Sequence, residues 1–86
     1  MPKQKVSFFI KFQDRYGKKF ASAMRIGANN DLLSFFKMFE KDMAKGGVKV
    51  LKIMYCDTLK QAQQLANESN KEYEEKGELS EIKKGK

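Results

Sequence analysis

Alternation along the first strand-like stretch puts Lys5, Phe9 and Lys11 on one side of the chain, with Ser7 between them. A second stretch places Lys19 and Arg25 on that same side, separated by Ala21 and Ala23. An aromatic ring among cations on a flat surface suits a single-stranded nucleic acid. Bases stack on the ring for about 1–3 kcal/mol each, while Lys and Arg follow the phosphates. Arg15, Tyr16 and Lys18, between the two stretches, extend the same track. The expected contact set is therefore Lys5, Phe9, Lys11, Arg15, Tyr16, Lys18, Lys19 and Arg25.

The distribution of charge points the same way. The chain of 86 residues carries a formal net charge of +7. Lys3, Lys5, Lys11, Arg15, Lys18, Lys19 and Arg25 face only Asp14 within residues 1–26, whereas the stretch after residue 58 is balanced. An evenly spread surplus would speak to solubility; a segregated one suggests a polyanionic partner. The competing expectation is protein assembly. Phe9, Ala21, Ala23, Val50 and Met54 would also suit a subunit interface, because small residues let two surfaces approach closely. A homodimer through the third strand or the open sheet face, or an acidic protein partner, is the alternative to nucleic acid.

Other chemistries find little support. With no His and one Cys, the chain has no ligand set for a structural zinc, no internal disulfide and no His-dependent triad, so neither a metal nor a cofactor is expected. Cys56 ends a strand without a base to activate it and reads as a small buried hydrophobe. Gly46-Gly47 follows a helix, whereas phosphate loops precede one. Asp57 reads as a helix cap, and the Lys37, Lys41, Lys45 row as a solvated helix face neutralised by Glu40 and Asp42. No convergent polar constellation suggests catalysis, and an enzyme is not expected. The longest early apolar run, Val6 to Ile10, is too short for a membrane span or the core of a secretory leader, so a cytoplasmic protein is expected.

The elements that must position these residues follow from periodicity and turn chemistry. Val6, Phe8, Ile10 and Phe12 alternate with the cationic side, as do Phe20, Ser22, Met24 and Ile26 in the second stretch. Gly17 supplies the left-handed residue of a three-residue hairpin loop. That pairs Asp14 with Lys18 and sets Phe12 against Phe20 and Phe8 against Met24. Leu32, Phe35, Phe36, Phe39 and Met43 recur at helical spacing after the capping residues Asn29, Asn30 and Asp31, and Gly46-Gly47 ends that helix. Residues 48–56 read as a third strand that is apolar on both sides. Thr58 and Gln61 have capping-box spacing before a second helix with a narrow stripe of small residues, closed by Gly77.

The expected fold is a single α+β domain over residues 1–77, followed by a flexible charged tail, 78–86. It is a two-layer ββαβα sandwich with a three-stranded, mainly antiparallel sheet and both helices on one face. Strand order is 2-1-3 or 1-2-3, with the third strand parallel to the second across a right-handed crossover. The two-sided third strand fits neither order well, since it lies at an edge in both.

Overall fold

The computed structural model describes residues 5–27 and 32–81. Strands β1 (Lys5–Gln13) and β2 (Lys19–Gly27) are followed by helix α1 (Leu32–Lys45), strand β3 (Lys49–Cys56) and helix α2 (Leu59–Glu75). The α+β class and the ββαβα order are as the periodicities require. The sheet is antiparallel in the order β2-β1-β3, so β1 is central and β3 runs in the direction of β2 without touching it. The capping residues expected at 29–31 lie outside the described residues, apart from which α1 has the expected bounds.

The hairpin register follows the turn. Gly17 sits at φ +80° and donates to the Asp14 carbonyl at 3.1 Å, while the Asp14 N–H donates to the Lys18 carbonyl at 2.8 Å. Phe12 faces Phe20, Ile10 faces Ser22, Phe8 faces Met24 and Val6 faces Ile26. One Asp14 carboxylate oxygen accepts from the N–H groups of Tyr16 and Lys18, both at 2.9 Å. The other accepts from the Ser80 hydroxyl at 2.7 Å.

The Ser80 hydroxyl, foremost, holds the Asp14 carboxyl below the ordinary aspartate range. The Lys18 and Tyr16 amides and the Lys18 charge act with it against a partial desolvation. A folded-state pKa below the unfolded one gives stabilisation that is complete above the ordinary range and is lost as pH falls through the lowered value. Urea titrations at stepped pH should therefore show wild type losing more stability than Asp14→Asn from roughly pH 5 downward. Equal losses in the two proteins would exclude this role.

The helices lie on opposite faces, which corrects the two-layer expectation. Phe8, Ile10, Phe12 and Phe20 form one cluster, against which Leu32, Phe36, Phe39 and Met43 of α1 pack. The Phe36 ring meets Phe8 edge-on at 4.8 Å, and Phe39 lies 5.9 Å from Phe12. The other face carries Phe9 and Ala21 against Ala62 and Ala66 of α2. The chain reaches this arrangement in two passes: α1 crosses one face between β2 and β3, and α2 returns from β3 across the other face to β2. The result has three layers around one thin sheet.

Two-sided cover accounts for the apolar pattern of β3 at an edge. A bulge between Lys11 and Phe12 of β1 leaves Leu51 as the extra residue on β3 and flips the phase of the strand. Val50 and Ile53 thereby join the α1 side, while Met54 and Cys56 join the α2 side. Helix α2 starts as its sequence suggests. The Thr58 side chain accepts from the Gln61 N–H at 3.1 Å. The reciprocal bond runs one residue further out than a standard capping box, from the Asp57 N–H to Gln61 Oε1.

The expected flexible tail is corrected at its start. The Lys19 N–H donates to the Glu78 carbonyl and the Ser80 N–H to the Lys19 carbonyl, both at 2.8 Å, and Leu79 and Ser80 are buried. Burying an apolar side chain and closing two backbone bonds gives this segment a reason to dock.

Candidate functional site

The sheet face expected to lie bare is covered. Phe9 is 3% exposed and sits beneath α2, so it offers no stacking platform. Its small neighbours do not leave the ring open. Ala21 and Ala23 on β2, with Ala62 and Ala66 on α2, let the helix backbone come close enough to seal it. The exposed-aromatic premise of a nucleic-acid surface fails at this residue.

The expected cations share a face, as the alternation requires, but α2 lies among them. Lys5 and Arg25, both exposed, occupy one end of that face; Lys11 and Lys19, both half-buried, lie about 20 Å away by strand rise. Lys11 Nζ is 5.9 Å from the Phe9 ring centre and 6.0 Å from that of Tyr73, so its ammonium lies along the side of α2.

The loop cations hold helix ends. Arg15 donates to the Gly46 carbonyl just beyond α1, and Lys18 Nζ donates to the Gly77 carbonyl just beyond α2, each at 2.8 Å. Cations suit those positions because helix C-termini carry unpaired carbonyls and a partial negative charge. Gly47, at φ +80°, makes room for Arg15; a Cβ there would stand 2.9 Å from its Nε. Tyr16 projects at the loop tip, 78% exposed.

Strand pairing creates one cationic cluster that periodicity did not show. Lys11 stands opposite Lys52 and Gln13 opposite Lys49. Directly opposed like charges repel, and no described carboxylate lies within ion-pair distance of either lysine. The cluster was hidden because neither the neighbour of β3 nor its bulge is written in the local sequence.

The two sheet edges are treated differently. On β2 the Asn70 side-chain amide of α2 pairs with the Ala21 backbone in both directions, Ala21 N–H to Oδ1 at 2.7 Å and Nδ2 to the Ala21 carbonyl at 3.0 Å. Residues 78–80 close the positions around Lys19. Among the described residues, the outer side of β3 has neither a paired strand nor such a side-chain clamp. Two exposed large apolar side chains lie on this strand, Leu51 and Tyr55. Tyr55 is 63% exposed. An open edge bordered by apolar groups is an invitation to another chain.

Two shallow grooves flank β2. One, of about 350 Å³, is lined by Ser22, Ala23, Gln63, Ala66 and Asn67. The other, of about 160 Å³, lies between β2 and α1 and is bordered by Phe20, Met24, Phe39 and Met43. Neither lining includes an ionisable group, so neither supplies an acid or a base. Among the described residues, no helix is long and apolar enough to cross a membrane. Comparison with protein-family models, with curated proteins and with solved structures gives no match.

Proposed function

We propose that the protein is a non-catalytic interaction module that receives an extended protein segment on the outer edge of β3. The observation that carries this reading is the asymmetry of the sheet: β2 is closed at Lys19 and Ala21 by residues 78–80 and Asn70, while among the described residues the outer edge of β3, with Leu51 and Tyr55 exposed, is paired nowhere. Strand addition takes affinity from backbone hydrogen bonds and selectivity from alternate side chains, and β3 offers both.

A library of displayed nine-residue peptides tests it. Selection on the full chain should enrich segments of alternating apolar character, and Tyr55→Lys should weaken their retention at least tenfold while Arg25→Ala leaves it unchanged. No enrichment, or retention indifferent to Tyr55→Lys, would remove the proposal.

A polyanion is the second reading, now carried by Lys11, Lys49 and Lys52 instead of an aromatic platform. It requires an oligothymidylate affinity whose logarithm falls with log salt at a slope of about −2, as three phosphate contacts would give. Lys52→Ala should flatten that slope, and a salt-independent affinity would dismiss this reading.

A further inference from the structure

We infer that the segment received by β3 is β3 of a second copy, paired antiparallel about a two-fold axis through Ile53. This rests on the edge-pairing reading above and names its partner.

The bonding phase of the sheet comes first. Ala21 turns both its N–H and its carbonyl outward to Asn70, so Lys11 and Ala21 form a non-hydrogen-bonded pair. Ser7, Phe9 and Lys11 of β1 therefore turn their backbone groups toward β3, where Cys56, Met54 and Lys52 face them. Along β3 the alternate residues Ile53 and Tyr55 direct their backbone groups away from the sheet. Ile53 lies between Leu51 and Tyr55, the two exposed large apolar residues of the strand. Two copies meeting there exchange a pair of N–H to carbonyl bonds between their Ile53 residues.

Side chains then select the register. With Ile53 on the axis, Leu51 faces Tyr55 of the other copy and Tyr55 faces Leu51, so both exposed apolar residues of the strand are covered twice over. Lys52 faces Met54, while Lys49 lies beyond the bulge, where the phase of the strand changes. Moving the axis to Lys52 sets two lysines against each other, which is unfavourable. Moving it to Met54 sets Leu51 against Asp57. The Ile53 register is self-complementary along residues 51–55, and a two-fold interface requires such self-complementarity. The product is a continuous six-stranded sheet in which no β3 edge remains.

Charge gives the pairing a signature of its own. Each copy carries +7, so bringing two together is opposed by repulsion that salt screens. The dimer should tighten as ionic strength rises, whereas a polyanion complex loosens.

Sedimentation equilibrium of the full chain, at about 0.05 M and about 0.5 M salt, is the experiment. The expected result is a dimer favoured at the higher salt, with Tyr55→Lys and Leu51→Lys each weakening association at least tenfold and circular dichroism unchanged. In a Cys56→Ser background, Ile53→Cys should form a reducible cross-linked dimer, because the Cα atoms of a bonded pair lie about 5.5 Å apart, within disulfide reach. A monomer throughout, a dimer indifferent to both Lys substitutions, or no cross-link at residue 53 would overturn the self-pairing. If such a monomer still retains displayed peptides through Tyr55, the edge-pairing function stands and its self-partner falls; if it retains none, both fall.

Discussion

Phe9→Ala is expected to melt the protein well before it exposes any change in ligand binding. The ring lies between the sheet and α2 at 3% exposure, and removing a buried phenyl group costs about 3–5 kcal/mol. That is a large part of the roughly 5–15 kcal/mol that holds a domain together. For a chain of this length it corresponds to a fall in Tm of roughly 15 °C or more. Thermal denaturation followed by circular dichroism reads the effect directly. The opposite outcome is informative too: an unchanged Tm with loss of oligonucleotide binding would restore Phe9 as a surface platform and contradict the packing of α2.

Asn70→Leu should have the second largest effect, on an edge more than on a core. Leucine is close to asparagine in size, so the substitution leaves little void. It strips partners from the Ala21 N–H and carbonyl, which are partly sheltered by the helix that carries residue 70. Leaving such groups unpaired costs about 1–3 kcal/mol. Hydrogen exchange at the Ala21 amide should accelerate at least tenfold, and the newly opened β2 edge should promote aggregation visible by light scattering. Unchanged exchange at Ala21 would show that the clamp is not needed to close the edge.

Much of the local structure was legible because independent signals coincided. Gly17 and the alternation around it demand the same register, and Thr58 with Gln61 marks the start of α2 at its true residue. The layer arrangement was less legible. Phe8, Phe9 and Ile10 in succession announce a strand buried on both sides, but the cations interleaved with Phe9 made one side look wet. Of those cations, Lys5 and Arg25 are exposed at one end of the face, while Lys11 is half-buried with its ammonium beside Tyr73 of α2. The small residues around Phe9 allow either an open ring or a close helix, and only the narrow Ala62–Ala66 stripe of α2 decides between them. The β3 bulge and the Asn70 clamp depend on contacts between distant parts of the chain, with |i−j| of 49 for the clamp, and no window of sequence shows them.

The lacing of β2 by Asn70 and Glu78–Ser80 also has a temporal consequence. A ribosome delivers the hairpin some fifty residues before the groups that seal its flank. β3 arrives on the β1 rim by residue 56, but the β2 flank at Lys19 and Ala21 stays open until these later groups appear. Release of the C-terminal half of α2 and the three residues beyond Gly77 is thus the event that seals the Lys19–Ala21 stretch of that flank, and the Lys19 amide, bonded to Glu78, is the natural clock for it in pulse-labelling.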